Sequence, residues 1–108
     1  MASRVNRGEV WMHEFRKPDK RRPVVVLSRQ EVIPMLSTVI VAPITSTIHG
    51  VPSEVRVGVE EGLKRESAVN LDHVQTVERS HLRGYVGALD DRKMRLVCAA
   101  LAVATACD

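Results

Sequence analysis

A chain of 108 residues, 44% apolar and 27% charged, has the composition of one globular domain spanning 1–108 and argues against disorder. Aromatic content of only 3% demands an aliphatic core and weakens any reading based on stacking bases on aromatic platforms. The net charge of +3 is unevenly placed: residues 1–30 carry eight Lys/Arg against three acids, the remainder eight against ten, so the excess is an N-terminal patch suited to a polyanion or an acidic peptide.

In chain order, Val10-Trp11-Met12-His13-Glu14-Phe15 reads as a strand, with Trp11, His13 and Phe15 on one face and Val10 and Met12 on the other. A short basic loop follows from Arg16 to Arg21, turned by Pro18 and Asp19. The chain then becomes abruptly apolar at Pro23-Val24-Val25-Val26-Leu27-Ser28, a run without alternation that predicts a strand buried on both faces. Pro23 at the first position fixes φ where a missing N–H does least harm and holds Arg22 extended at the strand mouth.

Arg29 to Leu36 is irregular or briefly helical, broken at Pro34; Ser37 to Ala42 is a second buried strand that stops at Pro43. Past it stand the adjacent hydroxyls Thr45, Ser46 and Thr47, and His49-Gly50 turns the chain. Val55, Val57 and Val59 alternate with polar or small residues, as in a strand with one wet face, and Glu60 to Leu63 is a turn. Ser67 to Leu71 and Val74 to Val77 read as one long or bent strand with Asp72-His73 in its middle. Ser80 to Arg83 suggests a helical turn and Tyr85 to Leu89 a strand, with Tyr85, like Trp11, expected in the core rather than as a base platform. Asp90 is suited to cap a helix, and Met94, Val97, Cys98, Leu101 and Ala104 recur at helical spacing. Leu96, Ala99, Ala100 and Val103 add apolar surface beyond one stripe, which suggests either deep burial or a subunit interface. Five or six short strands and one helix predict a small curled antiparallel β-barrel, mainly β, with a C-terminal helix laid against it.

Cys98 and Cys107 have neither the spacing nor the partners of a zinc site or a disulfide framework, and are expected as small buried or half-exposed residues. With no signal-peptide pattern and no apolar run of membrane-spanning length, the expectation is a cytoplasmic protein without a membrane partner. Glycine-rich phosphate loops, nucleophile elbows and HExxH pairs do not occur, so no metal or cofactor is expected. What remains is arginine, hydroxyl and carboxylate: Arg22, Thr45 with Ser46, and Asp72.

The order Arg7-Gly8-Glu9-Val10-Trp11, then Arg22 to Ser28, then Val41-Ala42-Pro43-Ile44-Thr45-Ser46, then Ser67 to His73 and the final helix, resembles the MazF/PemK family of toxin endoribonucleases over nearly the whole chain. The resemblance implies an SH3-like barrel of the CcdB/PemK kind and a homodimer. It also implies metal-independent cleavage of single-stranded RNA and neutralisation by a cognate acidic MazE-like antitoxin. It places Arg22 and Thr45 on the family's catalytic arginine and threonine, and Asp72 on an aspartate near the scissile phosphate in PemK-like members. Asp72 is equally suited to accept backbone N–H bonds in a turn. Arg16, Lys17, Lys20, Arg21, Ser46, Asn70 and His73 are the expected RNA-binding groups. The family's usual first loop is rich in Gly, Ser and Gln, whereas this one is shorter and basic, and Asn70 stands where PemK-like members carry an arginine. Arg22 and Thr45 are thus the better-supported pair.

Two alternatives share the architecture. A CcdB-like gyrase poison would end in Trp-Gly-Ile, whereas this chain ends Thr105-Ala106-Cys107-Asp108. A non-catalytic RNA- or peptide-binding barrel would use the same arginine.

Overall fold

The fold is organised by one strand, one edge of which two others share. The computed structural model describes residues 4–15 and 21–108. Its strands are β1 (Glu9–Glu14), β2 (Arg21–Val26), β3 (Thr38–Thr45), β4 (Glu54–Val57), β5 (Ser67–Asn70), β6 (Gln75–Glu78) and β7 (Leu82–Ala88), followed by the helix α1 (Asp91–Thr105). All pair antiparallel in the order β4-β5-β3-β2-β1-β7, with β6 also on β3. The eight-residue β3 pairs with β2 along one edge; on the other, β6 covers Thr38–Val41 and β5 covers Ile44–Thr45. The predicted bent strand over 67–77 is therefore two strands. The 3₁₀ turn Leu71–His73 lets the chain leave one half of β3 and return along the other. The sheet curls without closing, a barrel-like arrangement with β4 and β7 as its ends.

Curling creates two cores, and β2 is the wall between them. Val25 faces one, with Val10, Ile44, Val69 and the helix residues Val97 and Ala100; Val24 and Val26 face the other, with Trp11, Ile33, Val39 and Val77. This is why the valine run needs no alternation: all three valines are fully buried. Each contributes about 1.5–3 kcal/mol of apolar burial. Asp90 caps α1 by accepting from the Lys93 N–H at 2.8 Å, and Met94, Val97, Ala100, Leu101 and Ala104 form the inward stripe. Cys98 and Cys107 are exposed, so Cys98 leaves the predicted stripe, and Leu96 and Val103 face outward.

The prolines correct the expected boundaries. Pro23 is the third residue of β2, just beyond the pairing with β3, which runs from Val24–Pro43 to Val26–Val41. Pro43 lies inside β3 rather than ending it. The Leu27 N–H donates to the Ile40 carbonyl, and alternation from that pair makes Val24–Pro43 a non-hydrogen-bonded one. The missing N–H of Pro43 thus faces the interval between the end of β6 and the start of β5, where no ladder bond is lost. Pro34 sits within a short 3₁₀ turn, Ile33–Met35, at a first-turn position that requires no N–H donor. Val59 falls outside β4 and is exposed in the turn Val59–Glu61, because Gly58 ends the alternation.

Candidate active site

Continuing the β2–β3 register two residues past Val24–Pro43 brings Arg22 opposite Thr45, and residues directly opposite project to the same face. Arg22 is exposed and is paired on its other side with His13 of β1. Both Arg22 and Thr45 line two separate clefts, so the pair forms the ridge between them.

The larger cleft, about 720 Å³, is also lined by Ser46, Lys64, Arg65 and Tyr85. Its wall is set by backbone contact. A Cβ added to Gly62 would collide with the Val86 carbonyl, and one added to Gly87 with the Glu61 carbonyl. Gly62 also has φ +93°, a left-handed conformation that glycine adopts freely. Two glycines thus press the 59–62 turn onto β7 and hold Lys64 and Arg65 beside Tyr85.

The smaller cleft, about 290 Å³, contains Phe15, His49, Asn70 and His73 beside Arg22 and Thr45. Hydrogen bonds to single side chains shape it. The Thr47 N–H donates to Thr45 Oγ1 at 3.1 Å, which occupies one lone pair and leaves the hydroxyl proton free for an anionic oxygen. The His49 and Gly50 N–H groups donate to Glu54 Oε1 at 3.0 and 2.9 Å, pinning the loop that carries the His49 imidazole. Asn70 Oδ1 accepts from the Asp72 N–H at 3.0 Å, and Asp72 Oδ2 accepts from the Ser53 hydroxyl. Asp72 lines neither cleft; its carboxylate ties the 71–73 turn to Ser53, the turn that places Asn70 and His73.

Among the sequence-predicted groups, the structure brings together Arg22, Thr45, Ser46, Asn70 and His73. Arg21 points aside: its Nη2 donates to the Arg83 carbonyl at 3.5 Å, and it lines a neighbouring depression with Arg83 and His81. Arg16, Lys17 and Lys20 lie outside the described residues. Lys64 and Arg65 line the larger cleft without having been expected there, and Tyr85, expected in the core, and His49, expected in a turn, are cleft residues too. The adjacent Lys64-Arg65 after a glycine turn was the available signal for the first two. Trp11 is buried as expected, but Tyr85 is not: it is 57% exposed, with its ring edge-on to Trp11 at 5.6 Å.

Behind Arg22, the His13 imidazole is buried between Phe15 and His81, with Nδ1 lacking a hydrogen-bond partner. Burial first, and the nearby His81 second, push its pKa below the usual histidine value, against a smaller opposing effect from Glu14. Among the described residues no cluster of three or more His, Cys, Asp or Glu has the arrangement of a metal site.

A chain with this fold has known relatives. The family described as "PemK-like, MazF-like toxin of type II toxin-antitoxin system" matches residues 6–105. A protein of Mycobacterium tuberculosis (strain ATCC 25618 / H37Rv) named "Probable endoribonuclease MazF5" is 48% identical over 110 residues, covering 99% of this chain and 98% of its own. The solved structure "Mycobacterium tuberculosis toxin MazF-mt6" superposes with a TM-score of 0.86 at 34% identity, over 93% of this chain and 98% of that one. A mycobacterial "Endoribonuclease in complex with its cognate antitoxin" has the same fold, with a TM-score of 0.86 at 23% identity over 97% of this chain and 98% of that one.

Proposed function

The chain belongs to the PemK-like, MazF-like toxins of type II toxin–antitoxin systems, and we propose that it is a sequence-specific endoribonuclease that cuts single-stranded RNA without a metal. The observation that carries this reading is the Arg22–Thr45 pair on the ridge between two clefts. A strand whose scissile phosphate rests on the ridge would put one flanking nucleotide into each cleft.

RNA brings its own nucleophile. The 2′-hydroxyl attacks the adjacent phosphorus, a P–O bond forms to O2′ as the bond to O5′ breaks, and the products are a 2′,3′-cyclic phosphate and a 5′-hydroxyl. The enzyme needs to align the attack, balance the added negative charge, remove the 2′ proton and return one to O5′. The Arg22 fork matches two phosphate oxygens, and a guanidinium, which keeps its proton, stabilises charge rather than taking a proton. Thr45, with one lone pair held by the Thr47 N–H, donates its hydroxyl proton to the phosphate. His49 and His73 supply, in the smaller cleft, the side chain type that exchanges protons near neutral pH. Asp72 contributes by holding the turn beneath Asn70 and His73.

The partner reading follows from charge and surface. Arg22, Lys64 and Arg65 converge on one cleft, which suits an acidic antitoxin peptide that competes with RNA. Leu96 and Val103, exposed on α1, suit a homodimer. RNA as substrate places the protein in the cytoplasm, and no helix among the described residues is long and apolar enough to cross a membrane.

The test is to incubate the purified protein with a long single-stranded RNA in EDTA and map the new 5′ ends. Cleavage at a defined short sequence is expected, abolished by a 2′-deoxy ribose at the cut. Arg22→Ala and Thr45→Ala, each folded, should lose at least about tenfold in rate, as removal of a phosphate-stabilising donor does. Cutting of the 2′-deoxy site would exclude the mechanism, and intact RNA throughout would exclude the function.

A further inference from the structure

Tyr85 is the exposed aromatic of a chain that has only one Trp, one Tyr and one Phe. It is not exposed by accident of a loose loop, for it lies inside β7, between two irregularities in the pairing with β1. The register runs Val10–Gly87, Trp11–Tyr85, His13–Leu82. One step along β1 matches two along β7 before Tyr85, and two steps match three after it. An extra residue thus sits on each side of Tyr85, and the pairing keeps its ring on the same face as its partner Trp11. Gly84, with φ +86°, absorbs the backbone conformation of the second. The ring is braced edge-on against buried Trp11, and it stands in the larger cleft with Arg22, Lys64 and Arg65. The Gly62–Gly87 contact holds the 59–62 turn against β7, two residues along from the ring.

We propose that Tyr85 is the stacking platform for one base of the RNA, the base of the nucleotide that enters the larger cleft from the phosphate held at Arg22 and Thr45. This rests on the endoribonuclease reading and deepens it. A flat ring with cations around its rim accepts any base by its π-face while the cations take the flanking phosphates. The smaller cleft, with its imidazoles, is left for the proton chemistry, so base holding and proton transfer fall on opposite sides of the ridge.

The experiment uses the shortest oligonucleotide that the wild type cuts, made non-cleavable by one 2′-deoxy ribose at the cut. Its affinity is measured for the wild type and for Tyr85→Ala, Tyr85→Phe and Tyr85→Trp. Alanine should weaken binding by about tenfold, the loss of one base–aromatic stack, while Phe and Trp bind as the wild type does. A scan of single abasic nucleotides should find one position, next to the cut, where removing the base weakens the wild type but not Tyr85→Ala. A purely structural role for Tyr85 would weaken every oligonucleotide alike and show no such position. Phe binding as poorly as Ala, or Ala binding as well as the wild type while the wild type still cuts RNA, would overturn the stacking role alone. A wild type that neither binds nor cuts RNA would remove the nuclease reading and this one with it.

Discussion

The two clefts that meet at Arg22 and Thr45 are built by different means. Backbone fixes the larger one: glycines pressed against carbonyls, and an irregular β7 that seats Tyr85 beside Trp11. Side chains fix the smaller one: Thr45 held by Thr47, the His49 loop held by Glu54, and the 71–73 turn held by Ser53 through Asp72. A backbone-built wall is rigid and intolerant, because any side chain added to it displaces two elements at once. A wall built of single hydrogen bonds can lose one of them and keep its fold. The larger cleft is therefore suited to gripping a strand, and the smaller to chemistry that needs a few oriented groups.

Gly62→Ala should be the most damaging single change to this arrangement. It places a Cβ against the Val86 carbonyl and forces a non-glycine residue to φ +93°. Overpacking and left-handed strain each cost about 1–3 kcal/mol, a large part of the stability of a domain this size. Thermal melting should show a drop of several degrees or failure to fold, and any folded fraction should bind non-cleavable RNA poorly. A variant that melts with the wild type would mean that the 59–62 turn does not fix the larger cleft.

The same division explains what the amino-acid sequence made legible. β2 could be read because its burial on both faces needs only contiguous valines, and α1 because Asp90 and a helical period are local signals. Arg22 and Thr45 could be singled out because they stand near the ends of two readable strands, β2 and β3, and match a family pattern. Pro43 could not be placed inside β3, since its tolerance depends on where β6 ends and β5 begins, residues distant in the chain. Tyr85 is expected in the core like Trp11; that it stands exposed at a cleft beside Trp11 depends on pairing between strands distant in the chain. His49 reads from the sequence as part of a turn, for nothing local shows that Glu54 reaches back to fix its loop.

A milder change should act on the smaller cleft alone. Glu54→Gln keeps an acceptor for the His49 and Gly50 N–H groups but removes the charge that strengthens those bonds. Bonds at an exposed site contribute about 1 kcal/mol or less, so the melting temperature should hardly move. The rate of cleavage should fall several-fold, on the order of the cost of misplacing a proton-transfer group, while affinity for non-cleavable RNA stays the same. Loss of affinity with an unchanged rate would reverse the assignment of the two clefts.

The smallest effect concerns His13, and it keeps chemistry and stability apart when pH is varied. Cleavage should weaken in acid if an imidazole of the smaller cleft must accept the 2′ proton, but a fall in stability would mimic that loss. His13 supplies such a fall. Its folded-state pKa lies below the ordinary value of 6.5, chiefly through burial and next through His81, so the unfolded chain takes up its proton first. Above pH 6.5 the residue is neutral in both states and stability is unaffected. As pH falls through 6.5 the unfolded state is favoured, and the penalty grows until the folded pKa is reached. His13→Phe retains a flat ring beside Phe15 and removes the titration and the unpartnered Nδ1. Denaturant melts from pH 7.5 to 5 should therefore fall less steeply in the variant than in the wild type, whatever constant offset the substitution brings. The acid limb of its cleavage rate should be unchanged, because His13 lines neither cleft. If that limb shifts with the stability curve instead, the acid loss belongs to the core behind Arg22 and not to the imidazoles beside it.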